Sequence, residues 1–170
     1  MEAQDAAQTI RQTYAAFSTI SVECVLALHE AQRVSEYTFT LDANRENAVL
    51  VLTAPEAVAG ITVTTGEDGG SISYGTTQLA LPIEPREGFS PYDCVPVLLH
   101  EIGTLAPASA GSEKLPGGES VLLTYEYELE EGTAQKRVWF DEKTLRLAAA
   151  ECLYDGELML RVDFTRCTVE

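Results

Sequence analysis

The sequence feature that most constrains the fold is an Asp-Gly pair at 155–156, inside the closing stretch VWFDEKTLRLAAAECLYDGELMLRVDFTRC, residues 138–167. Asp-Gly between two apolar runs is a strong signal for a β-hairpin with a two-residue turn, because both central positions of that turn need a positive φ. The stretch therefore predicts three strands joined by two tight turns at the end of the chain.

The predicted hairpin also fixes a register and two faces. Its cross-strand pairs are predicted to be Tyr154–Glu157, Leu153–Leu158, Glu151–Leu160, Ala149–Val162 and Leu147–Phe164. Because successive side chains of a strand point to opposite faces, one face is then apolar apart from Glu151. The opposite face is predicted to meet water, and it carries Arg146, Cys152, Arg161, Asp163 and Cys167.

Apolar residues at helical spacing predict two helices. The first stretch of the chain has one apolar face, formed by Ala3, Ala6, Ala7, Ile10, Tyr14 and Phe17. A second helix is predicted to begin at Ser90, with an apolar face formed by Tyr92, Val95, Leu98, Leu99 and Ile102. Pro96 is awkward inside a helix, and it predicts a delayed start or a kink.

Alternating runs before and after the second helix predict an antiparallel meander. The apolar positions of its longer strands are Val22, Cys24, Leu26, Leu28, Tyr37, Phe39 and Leu41, and later Leu123, Tyr125, Tyr127 and Leu129. Shorter strands are predicted at 47–53, 61–65, 71–75 and 78–81, with a turn at 66–70. The segments 82–89 and 106–119 are rich in proline and glycine, so both are predicted to be loops, the second of them mobile.

The length and composition are those of one globular domain spanning residues 1–170. No apolar run approaches the roughly 20 residues that cross a bilayer, so a soluble protein is predicted. Eleven Lys and Arg against 27 Asp and Glu leave a formal net charge of -16. A field of that sign repels phosphate backbones, which excludes nucleic acid as a partner, and we interpret the acidity as a solvated surface.

The start of the chain and the cysteines leave alternatives open. The opening MEAQDAAQTIRQ has no basic start and no apolar stretch, which fits either a cytoplasmic protein or a chain whose leader has been removed. The four cysteines, Cys24, Cys94, Cys152 and Cys167, lack metal-ligand spacing. They could form two disulfides or remain buried thiols. In the predicted register Cys152 and Cys167 lie roughly 26 Å apart, which excludes a bridge between those two.

The sequence offers little for catalysis, so we predict that the protein is not an enzyme. Its two histidines, His29 and His100, are predicted to be surface residues. Cys94 and His100 are too far apart along and around a helix for a thiolate–imidazole contact. Glu126 and Glu128 follow Thr124 on what reads as a solvated strand face. We therefore predict no cofactor and no metal site.

Two stretches resemble a known family. RVWFDEKTLRLAAAECLYDGELMLRVDF, residues 137–164, has an apolar pair and Asp, a short turn, a strand, a glycine hairpin and a last strand that ends in an aromatic residue. APEAVAGITV, residues 54–63, has a proline-containing break after the third strand. Together with the order of elements, these stretches resemble the LolA-like family of bacterial lipoprotein carriers, with its relatives LolB and RseB.

The resemblance implies an α+β fold in which a strongly curved antiparallel sheet, an incomplete and half-open barrel, is covered by the N-terminal helix and the central helix. Family members work outside the cytoplasm, so the resemblance implies an extracytoplasmic protein without a transmembrane segment. It also implies that the leader has been removed and that an N-terminal lipid anchor holds the protein at a membrane. It also implies a concave apolar groove, and we expect it to be lined by Leu26, Leu28, Tyr37, Phe39, Leu41, Tyr125, Tyr127, Leu160, Val162 and Phe164.

The leading hypothesis is a non-catalytic binding protein that shelters a lipid, an acyl chain or another hydrophobic group in this groove. The alternative is a cell-surface protein-interaction or structural module with the same fold and a plugged core, which binds through an edge strand or the segment 106–119. Tyr125 and Tyr127 favour the groove, because their hydroxyl groups would need partners in a sealed core.

Overall fold

The structure is a computed structural model that describes residues 2–66, 69–75, 77–81 and 88–170. Its elements in chain order are α1 (Ala3–Ala15), β1 (Thr19–Glu30), β2 (Arg33–Asn44), β3 (Asn47–Ala54), a 3-10 turn (Glu56–Val58), β4 (Thr62–Gly66), β5 (Gly69–Tyr74), β6 (Thr77–Leu81), α2 (Cys94–Thr104), β7 (Ser109–Leu115), β8 (Gly118–Leu129), β9 (Gly132–Asp141), β10 (Leu147–Tyr154) and β11 (Glu157–Val169).

Within the described residues, eleven strands form one antiparallel sheet in the order β6-β5-β4-β3-β2-β1-β11-β10-β9-β8-β7. The first and last strands of the chain are neighbours near the middle of this sheet, and β6 and β7 are its edges. The sheet does not close on itself, and both helices pack their apolar faces against the core. The predicted fold class, a half-open curved sheet with helical cover, is confirmed.

Bulges explain why so wide a sheet curves. The pairing register shifts by one residue at four places: between Glu23 and Cys24, Thr38 and Phe39, Leu147 and Ala149, and Cys152 and Leu153. An extra residue in one strand bends that strand and increases its local twist. These shifts lie in the central strands, so the middle of the sheet is where it bends around the core.

Both helices lie where their apolar faces predict. α1 buries Ala6, Ala7, Ile10 and Tyr14, while Phe17 follows the helix and remains half-buried. α2 buries Val95, Leu98, Leu99 and Ile102. The helices are in close contact at Gly103, where a Cβ atom would lie 2.7 Å from the carbonyl oxygen of Tyr14. Only a residue without a side chain fits this crossing.

The second helix begins at Cys94, four residues after the start predicted at Ser90. Ser90 still stabilises the segment just before α2, because its backbone N–H and its hydroxyl donate to Oδ1 of Asp93 at 2.9 and 2.6 Å. Pro96 is then the third residue of α2, within the first turn, where a missing N–H leaves no intrahelical bond unmade. The delayed start indicated by Pro96 is confirmed.

The prediction of a mobile loop at 106–119 is wrong. Residues Ser109–Leu115 form β7, which pairs with β8 from Ser109–Thr124 to Leu115–Gly118. An edge strand is held by backbone hydrogen bonds on one side, so it needs no alternating apolar pattern. The strand could therefore not be recognised from the small and charged residues of this segment.

The final hairpin turns where predicted, but most of its predicted register is wrong. Asp155 and Gly156 have φ values of 47° and 83°, and the pairs Tyr154–Glu157 and Leu153–Leu158 form. A bulge between Cys152 and Leu153 then shifts the pairing, so Cys152 pairs with Leu160 and Glu151 with Arg161. A one-residue slip exchanges the faces of a strand. The pairs Glu151–Leu160 and Ala149–Val162 are thus replaced, and the pair Leu147–Phe164 does not form among the described strands.

The slip also corrects the predicted positions of two cysteines. Cys152 is buried in the core, whereas Glu151 accepts a hydrogen bond from Arg161 at 3.2 Å on the other face. Cys167 is buried too, because a bulge in β11 opposite Glu23 and Cys24 brings it into register with the core residue Val22. All four cysteines are buried free thiols.

The remaining strands lie where the alternation predicts, and β5 and β6 match the predicted strands at 71–75 and 78–81. Glu67 and Asp68 of the predicted turn, and residues 82–87 of the predicted loop, lie outside the described residues. Among the helices that the structure describes, none combines the length and apolar character needed to span a membrane.

Candidate functional site

The ten residues predicted to bind a ligand, which we call the concave wall, all belong to the core or pack against it. Leu26, Phe39, Leu41, Tyr125, Leu160 and Val162 are buried, and Leu28, Tyr37, Tyr127 and Phe164 are half-buried. Eight of them meet on the neighbouring strands β2, β1 and β11, and the two tyrosines lie on β8. Side chains of the helices share this core with the wall.

An open cleft lies next to this covered wall. It has a volume of about 800 Å³ and is bounded by the end of α1, one side of α2 and the hairpin between β2 and β3. Its apolar lining includes Phe17, Ala43, Ala48, Pro96, Val97 and Leu99. None of the ten concave-wall residues is among the residues that line the cleft.

Small side chains in the β2–β3 hairpin leave room for the cleft. Ala43 and Ala48 face each other across the two strands, and both are buried. Oδ1 of Asn44 accepts hydrogen bonds from the backbone N–H groups of Glu46 and Asn47 at 2.9 and 2.8 Å, which fixes the turn beyond them. These two alanines were not predicted to line a site, although two small side chains at inward positions of adjacent strands indicate a gap.

Polar groups surround the apolar part of the cleft. Arg45, Glu46 and His100 are exposed at its border, which agrees with the predicted surface position of His100. Asp93 is buried, and while its Oδ1 is bonded to Ser90, its Oδ2 has no hydrogen-bond partner among the residues that the structure describes. The site thus combines an apolar interior with a polar border, as small-molecule sites commonly do.

A buried ion pair fastens α2 to the sheet on the other side of the helix. Nζ of Lys136, on β9, donates to Oε1 of Glu101, and the hydroxyl of Tyr127 donates to Oε2 of the same carboxylate. The ring centroids of Phe89 and Tyr127 each lie 5.1 Å from Nζ. Burial, followed by the hydrogen bond to Glu101, raises the pKa of Tyr127 far above its ordinary value.

This ion pair gives Tyr127 the hydroxyl partner that a covered core requires. Neither Lys136 nor Glu101 was predicted from the sequence to be buried or paired. A signal existed for the lysine, because Ala134, Lys136, Val138 and Phe140 follow one another at alternate positions of β9 and all are buried. A lysine in a row of buried residues is almost always paired with a group of opposite charge, so this pattern indicates a buried ion pair.

The groups considered for catalysis remain apart. Cys94 is buried against Cys152, whereas His100 is exposed, and Glu126 and Glu128 are exposed as predicted. Among the residues that the structure describes, no three His, Cys, Asp or Glu side chains are grouped so that they could hold a metal ion.

No family model matches the sequence, and no curated protein matches it. Solved structures do match. An uncharacterized conserved protein from Thermus thermophilus has a TM-score of 0.59 at 9% sequence identity, over 99% of this chain and 87% of that one. A domain from Vibrio parahaemolyticus that is named for outer membrane lipoprotein sorting has a TM-score of 0.54 at 13% identity, over 98% and 91%.

The MucA/MucB complex of Pseudomonas aeruginosa contains a chain with a TM-score of 0.51 at 17% identity, over 97% of this chain and 57% of that one. At such identities the likeness shows the fold alone. It confirms the predicted fold, which this chain shares with the Vibrio domain and with a chain of the MucA/MucB complex.

Proposed function

We propose that the protein is a non-catalytic binding protein that shelters a lipid, an acyl chain or another hydrophobic group. The observation that carries this proposal is the open cleft, whose volume of about 800 Å³ falls in the range of about 300–1,000 Å³ typical of ligand sites. Each methylene group moved from water into such a site contributes about 0.8 kcal/mol, so a single acyl chain could supply useful affinity.

The concave wall begins next to the cleft on β2. Ala43 lines the cleft, and Leu41 and Phe39 follow it at alternate positions, so all three share one face of the strand. Leu99 of α2 belongs both to the cleft and to the core. We therefore propose that an apolar group fills the cleft and contacts the edge of the concave wall at Leu99 and Ala43.

We further propose that the protein acts outside the cytoplasm, held at a membrane by a lipid anchor. Two similarities support this location: the fold shared with the Vibrio domain named for lipoprotein sorting, and the fold shared with a chain of the MucA/MucB complex. The chain's formal net charge of -16 favours ligands recognised through their apolar part over anionic headgroups.

The test compares two valine variants. Val97→Asp places a charge in the cleft, whereas Val34→Asp changes a valine that is 56% exposed on β2, away from the cleft. Binding is measured with a long-chain fluorescent fatty acid and by mass spectrometry of lipids extracted from the protein purified from its natural host. We expect the parent chain and Val34→Asp to bind and Val97→Asp to lose binding while unfolding at a similar urea concentration.

Absence of fatty-acid binding and of copurified lipid in the parent chain would contradict the proposed function. Equal loss of binding in both variants would contradict the cleft as the site.

One observation favours a second function, a protein-interaction module. β7 pairs with β8 alone among the described strands, so its other edge is available for another chain. Ser112→Pro would remove a backbone donor and disturb that edge. A protein that is captured from host extract by the parent chain and not by this variant, in the absence of lipid binding, would favour this function.

A further inference from the structure

Two buried thiols meet between α2 and β10. Cys94 is the first residue of α2, and Cys152 lies in β10, in register with Leu160. Their Sγ atoms are 3.7 Å apart, and the two residues are 0% and 1% exposed. The pair joins residues that are 58 positions apart in the sequence.

We propose that Cys94 and Cys152 are a disulfide-forming site that is oxidised when the chain folds in an oxidising compartment. The sulfur atoms of a disulfide are about 2.05 Å apart. Rotation of the two side chains, with a small movement of the first turn of α2, would bring the atoms together. Cys24 and Cys167 are not directly opposite each other, because Cys167 is in register with Val22 and Cys24 is in register with Phe164.

The reaction is a thiol–disulfide exchange with a disulfide donor, such as an oxidised dithiol oxidoreductase or glutathione disulfide. A thiolate of the pair attacks the donor, and the second thiolate then displaces the donor's sulfur from the mixed disulfide. One S–S bond forms and one breaks, the protein pair loses two electrons and two protons, and the donor leaves as two thiols.

The surroundings of the pair indicate when this exchange takes place. The hydrogen bond to Cys152, and then burial, raise the pKa of Cys94 well above its ordinary value. The thiolate is the attacking form, so Cys94 of the folded protein is slow to react, and burial also keeps a disulfide donor away from both thiols. Oxidation therefore takes place while the chain is folding, before α2 settles on the sheet.

The bond would give α2 a second attachment to the sheet. Glu101 already ties the later part of the helix to Lys136 and Tyr127. A Cys94–Cys152 bond would tie its first turn, three residues before Val97 of the cleft. This site does not depend on what the cleft binds, and its test contains no lipid, so its failure would leave the proposed function untouched.

The experiment uses the full chain without substitution. The protein is unfolded, refolded in a glutathione redox buffer or in reductant, and alkylated in denaturant, and its mass and linked peptides are then determined. After oxidative refolding we expect two unmodified cysteines, a peptide that links Cys94 to Cys152, and a higher unfolding temperature that reductant reverses. Alkylation of all four cysteines, or linkage only between other cysteines, would overturn the proposal.

A double variant, Cys24→Ser with Cys167→Ser, serves as the control. It keeps the proposed pair, and we expect the same linked peptide and the same sensitivity of the unfolding temperature to reductant. Loss of the link in a folded double variant would also count against the pairing.

Discussion

Lys136 of β9 and Glu101 of α2 form an ion pair inside the protein, where the lysine is 1% exposed. Removing one partner of a buried pair leaves an uncompensated charge and costs about 3–5 kcal/mol. We predict that Lys136→Met lowers the free energy of unfolding by about that amount in urea denaturation. Part of the loss should return in the double variant Lys136→Met, Glu101→Leu.

An exposed ion pair provides the control for this prediction. Arg166 and Glu23 are 3.9 Å apart, with side chains 69% and 49% exposed. Arg166→Met should cost less than about 1 kcal/mol, because surface pairs contribute little. If Lys136→Met is no more harmful than Arg166→Met, the buried pair does not hold α2.

The contact between the helices predicts a steric effect at Gly103. A Cβ atom there would lie 2.7 Å from the oxygen of Tyr14 and 2.8 Å from the nitrogen of Ala15, and neither backbone atom can move without shifting α1. Gly103→Ala should therefore lower the free energy of unfolding by about 1–3 kcal/mol, despite the better helix propensity of alanine.

The matched variant for this effect is Gly111→Ala in β7, where a Cβ atom meets nothing within 4 Å. It should leave the urea midpoint nearly unchanged. Equal stability of both alanine variants would show that the helices do not cross as closely as the structure indicates.

Two adjacent positions of β3 test where a ligand binds. Ala48 is buried and lines the cleft, whereas its neighbour Val49 is 37% exposed. Ala48→Phe fills part of the cleft, and we predict that it weakens fatty-acid binding by at least about tenfold, or about 1.4 kcal/mol. Val49→Phe should bind like the parent chain. Unchanged binding by a folded Ala48→Phe variant would place the ligand elsewhere.

The turn after β9 predicts a dependence of stability on pH. Oδ1 of Asp141 accepts the backbone N–H groups of Thr144 and Lys143, each at 2.9 Å. These hydrogen bonds hold the pKa of Asp141 below its ordinary value of 3.8, and the one from Thr144 has the largest effect. A carboxyl group whose pKa is lower in the folded state stabilises the fold above its unfolded pKa, and this contribution is lost as the pH falls through the folded pKa.

We therefore predict that Asp141→Ala lowers the free energy of unfolding by about 1 kcal/mol near neutral pH. The difference from the parent chain should shrink as the pH falls below 3.8. Glu142→Ala removes the neighbouring charge without removing the acceptor. Its effect on the free energy of unfolding should be smaller and should change less with pH. A constant effect of Asp141→Ala across this range would contradict the role of the ionised carboxylate.

The fold could largely be predicted from the sequence, because its determinants are local. The Asp155-Gly156 pair marks a turn, and the alternation in β1, β2 and β8 marks an inward face. The cover by two helices follows from their apolar faces. The edge strand β7 could not be found in this way, since its stability depends on backbone bonds to β8 and not on its own side chains.

The details of the site were harder to predict, because they depend on tertiary placement. A bulge at Cys152 moves that thiol from the predicted wet face into the core, where it meets Cys94. The cleft exists because the side chains of Ala43 and Ala48 are small. An alanine carries no reactive or polar group, so nothing in its chemistry marks it as part of a site. The ten predicted residues of the concave wall lie in the core or against it, and whether they bind a ligand stays a prediction.

The pairing of β1 with β11 sets the order of folding events. The two strands meet near the centre of the sheet, and the hydroxyl of Thr168 contacts the carbonyl oxygen of Ser21, 147 residues earlier. Contacts between distant parts of a chain form slowly, because a long loop must close first. β11 must therefore emerge from the ribosome or translocation pore before the strands β1–β6 and the strands β7–β10 can join into one sheet.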